Sequence, residues 1–131
     1  MTEIYKKNSV RGIRGATTVG SDQSNMIKEA TKQLLIRMIE DNEVLTEDIA
    51  AVFFTTTTDI SDEFPAVAAR EMGWDTVPLI CGHEMSVPHG LEKCIRILIL
   101  WNTEVKQNKI RHPYLNNAVT LRKSDNDLEA T

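Results

Sequence analysis

The amino-acid sequence predicts one α/β or α+β domain, a mixed β-sheet with one long and one short helix packed on it. Three observations lead there. Residues 9–18 alternate in character, and residues 23–42 then repeat their apolar positions at helical spacing. The runs 49–57 and 92–101 are apolar, rich in β-branched residues and of buried-strand length. A chain of 131 residues that is 41% hydrophobic and 26% charged can build one core, with no room for two, and is not a disordered chain. No Pro/Gly/Ser-rich linker and no repeat divides it. The expected organisation is a single domain over 9–122, an N-terminal extension over 1–8 and a mobile polar tail over 123–131.

In SVRGIRGATT (9–18), Val10, Gly12 and Arg14 point to one side and Arg11, Ile13 and Gly15 to the other, which predicts a strand. Met26, Ile27, Ala30, Leu34, Leu35, Met38 and Ile39 form one apolar helical stripe over 23–42, with Asp22 as N-cap. IAAVFFTTT (49–57) reads as a buried strand. Asp59, Ser61 and Asp62 offer caps for a short helix over about 63–72, where Pro65 fits the first turn and Gly73 the stop. TVPLIC (76–81) reads as a strand. EKCIRILILW (92–101) is a stronger one, apolar on both faces and therefore central. NAVTLR (117–122) reads as a last short strand. The order is β-α-β-α-β-β-β with the helices on one face. A single long helix leaves apolar strand surface over, and oligomerisation would cover it.

The start of the chain, MTEIYKKNSV, holds no apolar stretch of signal-peptide length, and the longest apolar run is cut by Arg96 and too short to span a bilayer. Cys81 and Cys94 form no CxxC and no disulfide framework, which suits a reducing compartment. A cytoplasmic protein with no membrane partner is expected. Lys plus Arg number 15 against 19 Asp plus Glu, a net charge of -4, so no nucleic-acid partner is expected either.

Arg96 lies among apolar neighbours in CIRILILW. Burying an unpaired guanidinium costs several kcal/mol, so it needs an anion: an internal carboxylate, or a ligand carboxylate or developing oxyanion. Arg14 sits in RGIRG, where glycines would let a ligand approach, although a strand arginine can equally reach solvent at a sheet edge. Arg70 and Arg122 are surface charges taken singly. With Arg14 and Arg96 they could serve a compound bearing more than one carboxylate. Glu84 is either a solvated loop carboxylate or an acceptor for a substrate hydroxyl. Cys81, His83, Glu84 and His89 invite a metal, but HEMSV lacks the second histidine of HExxH, and no metal is expected. No nucleophile–base constellation is visible, and RGIRGATT lacks the GK[ST] of a phosphate loop.

Six segments in order, VRGIRGATTV, EFPAVAAREMGW, VPLICGHEM, GLEKCIRI, IRHPYL and AVTLR, cover the chain from about Val10 to Arg122. In them it resembles the monofunctional chorismate mutases of the small trimeric α/β type, the AroH class. The resemblance implies a pseudo-α/β-barrel of the YjgF/chorismate mutase-like kind, assembled as a homotrimer with active sites between subunits. It implies the Claisen rearrangement of chorismate to prephenate, on the route to phenylalanine and tyrosine, with no cofactor and no metal. By the same resemblance Arg96 meets the ether oxygen of the breaking bond and Glu84 faces the ring hydroxyl. Arg14 binds a carboxylate, and Tyr114 bonds the side-chain carboxylate. Phe64, Ala66, Leu79, Ile80 and Cys81 form the pocket wall, and Arg70, Leu121 and Arg122 the rim and C-terminal cover. Val67 departs from the pattern, standing where some members carry a lysine. The chain is also a residue shorter between Glu71 and Trp74, and Pro113 and His89 differ. Two other functions fit the architecture: a non-catalytic trimeric binding module for a small carboxylate, and an enzyme acting on reactive imines. Both keep a carboxylate-binding arginine, and neither needs Arg96 together with Glu84.

Overall fold

The computed structural model describes residues 9–126, with side chains up to residue 122. The extension over 1–8, and the tail beyond Asn126, lie outside the described residues. Among the described residues, four strands form one mixed sheet: β1 (Ser9–Thr18), β2 (Ile49–Thr56), β3 (Leu79–His83) and β4 (Cys94–Thr103). Their spatial order is β1-β4-β2-β3. β4 runs antiparallel to both β1 and β2, and β3 runs parallel to β2. The apolar run expected to be central does lie inside the sheet, paired on both edges.

Helix α1 (Ser24–Asn42) lies on one face of this sheet. Its Ile27, Leu34, Leu35 and Met38 are fully buried against Ile13 of β1, Val52 and Phe54 of β2, and Ile95, Ile97 and Ile99 of β4. Thr31 is buried in the same stripe and satisfies its hydroxyl on the Ile27 carbonyl at 2.7 Å. Helix α2 (Ala66–Glu71) packs on α1 and β3. Pro65 occupies its N-cap, and the helix ends in a Schellman motif. Gly73 takes φ +92° and donates to Arg70 O, while Trp74 N–H reaches Ala69 O at 3.1 Å.

Several expectations are corrected. Asp22 does not cap α1. Gln23 holds the N-cap position without a side-chain bond, and Asp62 Oδ2 accepts the Ser24 N–H at 2.8 Å instead. Asp22 accepts the N–H groups of Ser61 and Asp62, both at 3.0 Å, and these bonds hold its carboxyl below the usual range. The two aspartates thus tie the start of α1 to the loop before α2, and α2 takes no side-chain cap from that loop. The strand expected over 76–81 begins only at Leu79. Pro78 has no N–H to donate, and its carbonyl accepts Val52 N–H at 2.9 Å where the ladder starts. The last expected strand is a 3₁₀ turn, Asn116–Ala118, leading into helix α3 (Val119–Asn126). Ala118 and Leu121, three apart, pack on Ala16 and Cys94. That spacing suits a helix as well as a short strand. This contact lies on the sheet face away from α1, so the helices are not confined to one face.

Among the described residues, nothing further packs on the rest of that second face. It presents Phe53 of β2, Ile80 of β3 and Leu98 of β4 in one row, all exposed.

Gly15 has a packing role rather than a ligand-approach role. A Cβ there would lie 2.7 Å from Met38 Sδ and 3.1 Å from Leu34 Cδ1. The missing side chain lets α1 close on β1. Gly15→Ala is therefore expected to lower stability by about 1–3 kcal/mol through overpacking. Gly12→Ala, whose Cβ meets Leu98 Cδ1 at an ordinary 3.4 Å, should cost less. Urea unfolding of both variants checks the ranking.

Candidate active site

Arg96 is aimed by the pleat of β4. Ile95 and Ile97 turn into the core, so Arg96 turns to the opposite face, between Ala16 of β1 and Thr55 of β2. Its side chain is 51% exposed. The sequence neighbours that seemed to bury it belong to the other face. Glu84 follows β3, and its N–H donates to Thr56 O at 2.7 Å, so it prolongs the ladder instead of starting a free loop. Its carboxylate accepts the Thr55 hydroxyl and lies 3.6 Å from Arg96 Nε. The internal partner left open for Arg96 therefore exists, yet the pair is not sealed. Both side chains line a cleft of about 280 Å³ with Asp59 and Leu121. Burial pushes Asp59 up, but the Thr57 hydroxyl and the Lys93 N–H outweigh it and hold its carboxyl below the usual range.

A second, larger cleft of about 1320 Å³ holds Arg14, His112, Tyr114 and Arg122. β1 is an edge strand, and residues 107–115 run along its outer side. Ala16 bridges to Tyr114 there, with Leu115 N–H donating to Ala16 O at 2.9 Å. Ala16 therefore has Arg96 on one side and Tyr114 on the other. Arg122 of α3 stacks over the Tyr114 ring, 5.5 Å from its centroid. Arg14 lies opposite Leu98, diagonal to Arg96 on the same face, which sets their Cβ atoms roughly 7 Å apart. Arg14 and Arg96 thus share one sheet face, and the larger cleft continues around the β1 edge to Arg37 and Asp41 of α1. His112 Nδ1 accepts the Arg14 N–H at 2.9 Å. Burial, reinforced by Arg14 and Arg122, lowers the His112 pKa to about 4.

The remaining expected residues do not join these two clefts. Phe64 is 67% exposed and lines a third hollow of about 380 Å³ with Cys81. The pleat of β3 divides the expected wall: Leu79 and Cys81 pack toward the core, whereas Ile80 is 58% exposed on the open face. Ala66 is buried in α2, and Arg70 is exposed on the same helix. Burial pushes both the Cys81 and the Cys94 thiols up, which leaves neither as a ready thiolate. His83 Nε2 is engaged with Ile60 O at 3.1 Å, and among the described residues no three His, Cys, Asp or Glu gather as a metal site. Among those residues no helix is long and apolar enough to cross a membrane. Sequence reasoning missed Thr55, Asp59 and His112. Thr55 could be found only from the strand register, since the run Thr55–Thr58 looks like any strand end.

The family model described as chorismate mutase type I matches residues 10–125. The chain is 49% identical over 114 residues to a chorismate mutase AroH of Thermus thermophilus, covering 86% of this chain and 93% of that one. It is 47% identical over 114 residues to chorismate mutase AroH of Bacillus subtilis (strain 168), covering 86% and 90%. A solved chorismate mutase from Clostridium thermocellum superposes with a TM-score of 0.82 at 44% identity, over 83% of this chain and 97% of that one.

The depressed His112 pKa carries a signed consequence. In the unfolded chain the imidazole titrates near its ordinary 6.5, and in the fold near 4. Between those values the unfolded state binds the extra proton, so the contribution of His112 is fully present above about pH 6.5 and is lost as pH falls toward 4. Urea unfolding from pH 7 to pH 4 should show wild type losing more stability than His112→Asn, which does not titrate.

Proposed function

The chain belongs to the type I chorismate mutase family and is an isomerase that converts chorismate to prephenate on the route to aromatic amino acids; from that premise we propose that the rearrangement occurs over the open sheet face, with Arg96 and Glu84 as catalytic residues. The reaction is unimolecular and passes through a cyclic transition state without proton transfer or covalent intermediate. The lack of a nucleophile–base pair is then no deficiency. What the protein supplies is restraint and charge. Holding both reacting ends of a flexible dianion in contact removes much of the entropic barrier. Arg14 and Tyr114 serve as the grips on the carboxylates, Leu121 and Arg122 as the rim and cover, and Arg70 joins that rim from a neighbouring chain. C–O cleavage runs ahead of C–C formation, so negative charge grows on the ether oxygen. Arg96 opposes that charge more strongly in the transition state than in the ground state, which is the condition for catalysis. Glu84 balances the positive charge left on the ring. The observation that carries this reading is the Arg96–Glu84 pair at 3.6 Å, kept open to a cleft beside the arginine-lined one.

The working unit in this reading is a homotrimer in the cytoplasm, with each active site completed by a neighbouring chain. Two features support it. Phe64, Ala66, Leu79, Ile80 and Cys81 do not meet Arg96 within one chain, so a second copy must bring them if they wall the same pocket. The exposed row Phe53, Ile80 and Leu98 offers the apolar surface that such a contact would cover. Val67 contributes no cation to that wall. The cytoplasmic location accords with Cys81 and Cys94 both being free thiols.

Arg96→Ala is expected to fold and to lose turnover by a factor on the order of 10³, as for loss of an oxyanion donor. Arg96→Lys should recover little, because the planar fork is gone. Glu84→Ala should show a smaller, clear loss. Chorismate absorbance followed with purified protein checks all three, and near wild-type turnover in either Arg96 variant would remove Arg96 from the mechanism. Light scattering should give the mass of three chains, and a stable, active monomer would contradict the shared site.

A further inference from the structure

Among the groups the mechanism leaves unused, one sits directly behind a substrate grip. β1 is an edge strand, so the N–H groups of Gly12, Arg14 and Ala16 point away from β4 and need partners elsewhere. The segment 107–115 supplies all three. Gly12 exchanges two bonds with the Gln107 side-chain amide, at 2.9 and 2.7 Å. Ala16 N–H donates to Pro113 O at 3.2 Å, and its carbonyl accepts Leu115 N–H. Between these two clamps, Arg14 N–H donates to an imidazole nitrogen, His112 Nδ1, at 2.9 Å.

We propose that His112 is a positioning residue for the isomerase: as the acceptor for the Arg14 N–H on the open edge of β1, it sets where the Arg14 guanidinium meets a substrate carboxylate. The proposal rests on the reading of Arg14 as a carboxylate grip. The ladder to β4 holds the inner edge of β1; on its outer edge, among the described residues, the clamps hold Gly12 and Ala16 and the His112 bond holds Arg14 itself. That bond requires an unprotonated Nδ1, which places the ring proton on Nε2. The imidazole also shares its cleft with Arg14 and Arg122. A protonated ring there would put a third positive charge beside them and could no longer accept the N–H. The lowered pKa keeps the ring neutral and the bond intact. Small displacements of a positioning group are costly in rate and affinity, so a side chain that holds the grip's own backbone affects the reaction without touching the substrate.

The test uses steady-state kinetics with chorismate on the full chain, with urea midpoints measured on every variant. His112→Ala is expected to raise KM about tenfold and to change kcat less, the pattern of lost uniform binding. His112→Asn should bring KM back toward wild type, because Asn Oδ1 falls near the Nδ1 position and accepts the same N–H. His112→Gln, whose amide falls near Nε2, should not, even where its urea midpoint equals that of the Asn variant. Adding His112→Ala to Arg14→Ala should then leave KM where Arg14→Ala alone puts it, since the histidine acts through the arginine. Three results overturn the proposal. One is an unchanged KM in His112→Ala when Arg14→Ala raises it. Another is equal KM in the Asn and Gln variants, and the third is a double mutant in which the two effects multiply. An unchanged KM in Arg14→Ala is a different failure: it removes Arg14 from the carboxylate grip, and the role of His112 with it.

Discussion

Strand β4 is hydrogen-bonded along both edges, to β1 over ten residue pairs and to β2 up to Ile95. Its side chains alternate between two faces that α1 makes unequal. Ile95, Ile97, Ile99 and Trp101 go to the helix, and Cys94, Arg96 and Leu98 must go to the other side. A slip of one residue would expose the isoleucines and press a guanidinium into the core, a change costing several kcal/mol. The hydrophobic core therefore aims Arg96. Glu84 depends on the same register, since β2 carries Thr55 beside Arg96 and holds Glu84 through the Thr56 carbonyl.

The second constraint is the edge of β1. An unpaired edge is both a liability and an opportunity, and here residues 107–115 close it with two side chains and a single-residue bridge. Closing the edge in this way delivers Tyr114 next to Ala16, one strand away from Arg96. It also brings α3, and with it Arg122, over the Tyr114 ring. Charge follows the same local logic. The chain is acidic as a whole, at -4, yet Arg14, Arg122 and neighbouring cations line the large cleft. Net charge speaks to solubility and encounter, whereas the potential inside a cleft is set by the few charges that line it.

Where local pattern and tertiary context agreed, the sequence was easily read. The alternation of 9–18, the stripe of 23–42 and the apolar run that includes Cys94–Trp101 all became the elements expected. The failures have identifiable causes. NAVTLR is too short for periodicity to separate strand from helix, and Leu121 packs as a helical residue would. TVPLIC started late because Pro78 cannot donate. Asp22 looked like a cap, but two backbone donors from a loop 39 and 40 residues away claimed it. The glycines beside Arg14 looked like room for a ligand, and at Gly15 the room is taken by Met38 and Leu34 of a helix.

Composition and local periodicity were enough to indicate an α/β or α+β chain with a mixed sheet, the type and approximate extent of its three longest elements, and a short list of charged residues in apolar settings. Those properties depend on residues within a few positions of one another. Which arginine meets which carboxylate was decided by strand register. Arg96 and Glu84 are twelve positions apart in the chain, and they touch because each borders Thr55 and Thr56 on a strand that lies between them. Arg14 and His112 are 98 apart and meet only because β1 is an edge. Hydrogen-bond pairing between distant segments sets such contacts, and no local pattern encodes the register in which two strands will align.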